Sequence, residues 1–152
     1  MTDIDLKGEV AVVTGASRGI GAAIAEGLGA CGAHVVVNYR GSRDLAEGVA
    51  RSIAEAGGSA EALGFDITDE DQVKKAFQDI ASRLGRIDIL VNNAGVSRDS
   101  LLLRLKTADV DEVLGTNLKG TFFCSFHASR YMLKQKKGRI INISSIVGIG
   151  GN

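Results

Sequence analysis

The stretch Val10-Ala11-Val12-Val13-Thr14-Gly15-Ala16-Ser17-Arg18-Gly19-Ile20-Gly21 restricts the fold more than any other part of the chain. It opens as a run of apolar, mostly β-branched residues, which reads as a strand buried on both faces of a parallel sheet. The run breaks into glycines spaced G-x-x-x-G-x-G, and a helical pattern follows with Ile20, Ile24 and Leu28 on one face. Strand, glycine turn and helix in that order present backbone N–H groups to a phosphate at a helix N-terminus. Gly15 is expected to turn the chain out of the strand. Gly19 leaves room for a pyrophosphate, and Gly21 lets the helix pack close to the sheet. The spacing is neither G-x-G-x-x-G nor a P-loop, because no Gly-Lys-Ser/Thr follows. On these residues alone the stretch reads as a phosphate cradle or as a plain glycine-rich turn.

The rest of the chain alternates between strand and helix patterns. His34 to Asn38 reads as a second buried strand, and about Ser42 to Ala56 as a helix with Leu45, Val49 and Ile53 inward. Gly57-Gly58 stops that helix through a left-handed glycine. Ala60 to Phe65 is a weaker third strand. Thr68-x-x-Asp71 resembles a capping box ahead of a helix with Val73, Phe77, Ile80 and Leu84 on one face, which Gly85 ends. Ile87 to Val91 is a fourth strand. Thr107 is expected to cap a long helix reaching about Lys134, and Ile140 to Ser144 to form a fifth strand. Strands and helices alternating through short connections imply right-handed βαβ units and a parallel sheet covered on both faces. No linker or repeat interrupts the pattern, so residues 1–152 are expected to form one domain.

Ligands of such sheets bind at the C-terminal ends of the strands. Thr14, Asn38, Asp66, Asn92, Asn93 and the pair Ser144-Ser145 all fall where an apolar strand ends. The net charge of zero gives no electrostatic case for nucleic acid or an anionic membrane. No apolar run approaches the ~20 residues of a membrane span, and the short acidic start is no secretory signal. Cys31 and Cys124 lie far apart within helical patterns, which suits buried free thiols in a reducing, cytoplasmic compartment rather than a disulfide or metal site.

Thr14 to Gly21, Asp66, Asn92-Asn93-Ala94-Gly95, Asn117 and Ile143-Ser144-Ser145 together resemble the short-chain dehydrogenase/reductase family, in that family's order. Within it, Gly95 to Leu105 is similar to the 3-oxoacyl-(acyl-carrier-protein) reductases of fatty acid synthesis. The resemblance implies an α/β, Rossmann-type doubly wound sheet with strand order 3-2-1-4-5. It also implies hydride transfer from NADPH to a 3-oxoacyl thioester; a non-catalytic dinucleotide-binding module and a reductase of another carbonyl substrate are the alternatives. The implied cofactor contacts are Gly15, Ser17, Arg18, Gly19, Ile20, Gly21, Asn38, Tyr39, Arg40, Asp66, Ile67, Asn93, Ala94 and Gly95. An NAD-dependent enzyme of this kind places an acid near the end of the second strand for the ribose 2′-OH. This chain has Asn38-Tyr39-Arg40 instead, so Arg40, helped by Arg18, is expected to pair with the 2′-phosphate of NADP(H).

Asp66 is placed by the resemblance against the adenine ring, although it also suits the start of a helix. Asn92 to Gly95 would support the sheet and line the cofactor site. Asn117 would hold a water in a proton relay, unless it is a satisfied buried side chain. Ser145, rather than Ser144, would stabilise the oxyanion that forms as hydride arrives. Lys134, Lys136, Lys137 and Arg139 suit either a docking site for an acidic carrier protein or a solvated helix end. The family assembles as homo-oligomers, commonly tetramers. Its Tyr-x-x-x-Lys lies about a dozen residues beyond the serine, whereas the tyrosines here are Tyr39 and Tyr131. The resemblance therefore implies a fold truncated at its C-terminus, inactive by itself, and prone to associate through the fifth strand.

Overall fold

A computed structural model describes residues 4–150; residues 1–3 and 151–152 of the expected domain lie outside it. Its strands are β1 (Val10–Val13), β2 (His34–Tyr39), β3 (Ser59–Gly64), β4 (Ile89–Asn92) and β5 (Arg139–Asn142). The helices between and after them are α1 (Gly19–Ala30), α2 (Arg43–Glu55), α3 (Glu70–Leu84), α4 (Thr107–Val113), α5 (Thr121–Gln135) and α6 (Val147–Gly150). All strand pairs are parallel, in the expected order β3-β2-β1-β4-β5.

The pleat explains why the central strands are apolar throughout. Val10, Val12, Val36 and Leu90 face one way, toward Phe77 and Ile80 of α3 and Cys124 and Ala128 of α5. Ala11, Val13, Val35, Val37 and Val91 face the other way, toward Ala25 of α1 and Ala46, Ala50 and Ile53 of α2. Burial pushes the Cys124 thiol up to about 12, which makes it an inert packing group.

Several local expectations change. The first helix buries Gly21, Ala25 and Gly29, while Ile20 is 67% exposed and Ile24 and Leu28 only flank the core. Small residues are required there because α1 lies close to its neighbours. A Cβ on Gly29 would stand 2.6 Å from Ile53 Cγ2. On α2, Ala46 and Ala50 take the inward positions beside Ile53, and Leu45 is exposed. The cap of α3 is Asp69, whose Oδ1 accepts from Gln72 N (3.1 Å). Thr68 is instead tied to the Asp66 carboxylate through its N (2.9 Å) and Oγ1 (2.8 Å). Gly57 and Gly85 do end α2 and α3 with positive φ.

The long helix is not continuous α-helix. Thr107 is its first helical residue and Lys106 the flanking one. Between α4 and α5 the chain forms a π-helix, Leu114–Gly120. A Cβ on Gly120 would meet Ile67 Cδ1 at 2.6 Å, so glycine lets this segment press against the sheet side. β4 and β5 each run to an asparagine, later and earlier respectively than the apolar runs suggest. Asn92 Nδ2 joins them by donating to Asn142 Oδ1 (2.8 Å) and to Ser125 Oγ (2.9 Å). β5 is an edge strand with Ile140 and Ile141 partly open to solvent.

Asp88 is a buried carboxylate that the sequence patterns do not single out. It accepts from Val10 N (2.8 Å), Arg86 Nε (2.7 Å) and Arg86 Nη2 (2.6 Å). Burial alone pushes this acid up, but the Arg86 hydrogen bonds, the Val10 N–H and the charges of Arg86 and Lys137 hold it below the usual carboxylate range. A depressed native pKa stabilises the fold above the unfolded value of about 3.9, and that stabilisation is lost as pH falls through the native value. Asp88→Asn is therefore expected to lower the urea midpoint at pH 7 and to flatten its decline below about pH 4. An acid limb as steep as that of the unmodified protein would count against this role.

Candidate active site

The turn after β1 is suspended between both neighbouring strands. Gly15, at φ +61°, gives its N–H to Asn38 Oδ1 of β2 (3.1 Å). From the other side, Asn93 Nδ2 donates to Thr14 O (3.0 Å) and Gly15 O (3.1 Å). Thr14 Oγ1 accepts from Asn93 N and Ala94 N, both at 3.0 Å. A Cβ on Gly21 would lie 2.5 Å from Gly15 O and overlap Asn93 Nδ2, so glycine is required for α1 to start here. The first turn of α1 carries no acid, no side chain caps it, and Arg18 is the flanking residue. Gly19, at φ +57°, has open space where a Cβ would project. An uncapped helix N-terminus with open space and an adjacent arginine fits a phosphate group.

A cleft of about 420 Å³ opens from this turn. Of the expected contacts, Gly15, Ser17, Arg18, Asn38, Tyr39, Arg40, Asp66, Ile67, Asn93, Ala94 and Gly95 line it, joined by Phe65, Val96 and Thr116. Gly19, Ile20 and Gly21 are not among the lining residues. Arg40 Nη1 lies 3.9 Å from Asp66 Oδ2 at the mouth, with the Arg40 side chain 65% exposed. The polar atoms of Asn38 are engaged by backbone: besides Gly15 N, its Nδ2 reaches Phe65 O at 3.0 Å.

A second cavity of about 810 Å³ adjoins the first. Residues 93–96 line both. Ser144, Ser145 and Asn117 all face the second cavity, with Val110, Val113, Leu114 and Ile143 forming apolar wall. Ser145 Oγ accepts a long bond from Val147 N (3.4 Å), which leaves its hydrogen available to donate. Asn117 is exposed and sits in the π-helix. Its Oδ1 accepts from Val96 N (2.8 Å) and its Nδ2 donates to Val96 O (2.9 Å), so the carboxamide clamps the wall between the cavities. The second lone pair of Oδ1 and the second N–H of Nδ2 are what this side chain retains for a water. Arg98, which lines this cavity, makes a two-point pair with Glu112 (2.7 and 2.8 Å). Among the described residues, no group of three His, Cys, Asp or Glu is placed to hold a metal.

The parallel sheet in the order β3-β2-β1-β4-β5, with the glycine turn at α1 and the serine-bearing cavity beside it, defines a Rossmann-type α/β protein. The short-chain dehydrogenase family model matches residues 9–152, and the chain belongs to that family. It is 48% identical over 142 residues to the 3-oxoacyl-(acyl-carrier-protein) reductase of Staphylococcus aureus, covering 93% of this chain and 58% of that protein. It is equally identical over 147 residues to the corresponding reductase of Synechocystis, covering 97% and 60%. A solved metagenomic short-chain oxidoreductase in complex with NADP superposes with a TM-score of 0.90 at 43% identity, over 94% of this chain and 65% of that one. The chain thus spans about three fifths of the length of the curated relatives it matches.

Among the described residues no helix is long and apolar enough to cross a membrane. Of the basic group near β5, Lys137 pairs with Glu9. Thr116 lies at no strand end and carries no sequence signal, and Val96 is marked only as part of the stretch Gly95 to Leu105. The unfavourable mid-helix Asn117 was the one signal in that region.

Proposed function

We propose that these residues form the NADP(H)-binding, serine-bearing part of an oxidoreductase acting on a 3-oxoacyl thioester of an acyl carrier protein, working as a homo-oligomer in a reducing, cytoplasmic setting. The observation that carries the reading is the joining of the two cavities through residues 93–96, with Arg40 at one end and Ser145 in the other cavity. The α1 N-terminus, Ser17 and Arg18 would hold the pyrophosphate. Arg40 would take the 2′-phosphate and Asp66 the adenine amino group. NADPH, when bound, supplies the hydride. Ser145 Oγ–H donates to the carbonyl oxygen and stabilises the charge that develops there. Asn117 keeps Val96, and with it the wall between cofactor and substrate, in position. Residues 1–152 contain no Tyr-x-x-x-Lys, and no proton donor for the new alkoxide is assigned among them.

The cofactor assignment is tested by titrating NADPH and NADH against the protein and its Arg40→Asp variant. A charge-assisted bond from Arg40 to the 2′-phosphate contributes about 1.5–3 kcal/mol, which is ~10- to 150-fold in affinity. Arg40→Asp is expected to weaken NADPH binding by that factor and to leave NADH binding nearly unchanged. Equal affinity of the unmodified protein for both cofactors would overturn the assignment. A preference that survives Arg40→Asp would transfer the role to Arg18.

A further inference from the structure

The groove between α3 and α5 carries a charge arrangement that neither cavity of the candidate site uses. It encloses about 190 Å³ and is lined by Lys74, Gln78, His127, Arg130, Tyr131 and Lys134. Among the described residues, Lys74, Arg130 and Lys134 have no carboxylate within ion-pairing distance, and the groove brings the three together. Like charges gathered at one groove attract anions, and Glu70 is the carboxylate such an anion would have to displace. Independently, the His127 side chain is only 6% exposed, yet its Nε2 has no hydrogen-bond partner. Buried polar atoms are nearly always paired in native proteins. Glu70 Oε1 covers that nitrogen from 3.5 Å, and the Glu70 side chain is 54% exposed. Arg130 is held at the groove with its guanidinium carbon 6.0 Å from the centroid of the Phe126 ring.

We infer that this groove binds a small oxyanion of the phosphate class. Lys74, Arg130 and Lys134 supply the positive charge. The ion displaces the exposed Glu70 carboxylate and accepts from His127 Nε2–H, with Gln78 and Tyr131 as further donors. A tetrahedral oxyanion suits this set because it accepts from several directions at once. Its position has a structural consequence. α3 follows directly on the Asp66–Asp69 turn at the first cavity, and α5 continues the π-helix that carries Asn117. An ion tying Lys74 to Arg130 and Lys134 fastens together two elements that shape the candidate active site.

His34 and His127 are the only histidines in the chain, so imidazole proton–nitrogen NMR spectra report on the groove with an internal control. Inorganic phosphate, titrated at constant ionic strength, is expected to shift the His127 signals saturably with a midpoint of about 1 mM and to leave His34 in place. Lys74→Gln combined with Lys134→Gln should raise the midpoint by ~10-fold or more without moving the melting temperature. Glu70→Gln, which removes the competing carboxylate, should lower it. Arg40→Asp should leave it unchanged, which separates the groove from the cofactor cleft. Glycerol phosphate run in parallel distinguishes the sources: an equal midpoint marks free phosphate, and a lower one marks the phosphoryl end of a larger metabolite. A His127 response that fails to saturate, is reproduced by chloride or persists undiminished in the double lysine variant overturns the proposal.

Discussion

Thr14→Val is expected to destabilise the protein by about 2–6 kcal/mol, although the two side chains have nearly the same shape. The reason lies in what the hydroxyl holds. Thr14 is 1% exposed, and its Oγ1 accepts from the backbone N–H groups of both Asn93 and Ala94 while donating to Val91 O at 3.3 Å. Valine leaves both donors facing a methyl group. Each donor left unpaired costs roughly 1–3 kcal/mol where water cannot reach it; Asn93 and Ala94 are half-buried at the cleft, so the lower end of the range applies if water enters. Thr14→Ser keeps the oxygen and loses only a methyl, so it should be much milder, at about 1 kcal/mol. Urea unfolding followed by circular dichroism separates the two. NADPH affinity should fall with Thr14→Val as well, because Ala94 lines the cofactor cleft and a Cβ on Gly15 would already touch Ala94 Cα at 2.9 Å. Equal midpoints for the valine and serine variants would mean that the hydroxyl carries no such load.

The same residue shows where sequence reading succeeds and where it stops. Apolar runs ending in polar residues located the strands and the side of the sheet that carries the site, because a buried parallel strand admits polar side chains only at its ends. The strand order then follows from the family resemblance and agrees with the observed sheet. What a polar strand end does is a different question. Thr14, Asn38 and Asn93 all sit at the first cleft or beside it, yet their polar atoms bind backbone of the adjoining turns rather than pointing freely into it. A strand-end Asn looks the same in sequence whether it meets a ligand or a peptide group.

Other features depend on contacts that no local pattern encodes. The inward face of α1 is glycine and alanine because α2 and the turn after β1 come so close; a hydrophobic periodicity points instead to the larger Ile20, Ile24 and Leu28. The π-helix forms where Asn117 clamps a segment 21 residues away and Gly120 meets Ile67. Propensity reads that stretch as ordinary helix. Asp88 escapes notice because it falls within an apolar run and at the end of the sheet opposite the strand ends that mark the cavities, where its partners Val10 and Arg86 serve stability.

Residues 1–152 by themselves are expected to oxidise no NADPH above background with a 3-oxoacyl thioester, and a chimera joining them to the C-terminal two fifths of the Staphylococcus aureus relative is expected to do so. Hydride arriving at a ketone carbon leaves an alkoxide that must take a proton, and a positioned general acid accelerates that transfer by typically ~10²–10⁴. Neither tyrosine of this chain is available for the task. Tyr39 lines the cofactor cleft at the end of β2, and Tyr131 lies in the groove between α3 and α5. Within the chimera, Ser145→Ala removes the one hydroxyl donor proposed for the carbonyl oxygen. That change should lower kcat by ~10²–10³ while the NADPH dissociation constant stays within about twofold, since Ser145 lines only the second cavity. Ser144→Ala should have a far smaller effect on kcat. A greater loss from Ser144→Ala would reverse the assignment within the pair. Turnover by residues 1–152 alone would show that proton delivery does not require the Tyr-x-x-x-Lys pair, because the alkoxide would then be protonated by a group already described here or by water.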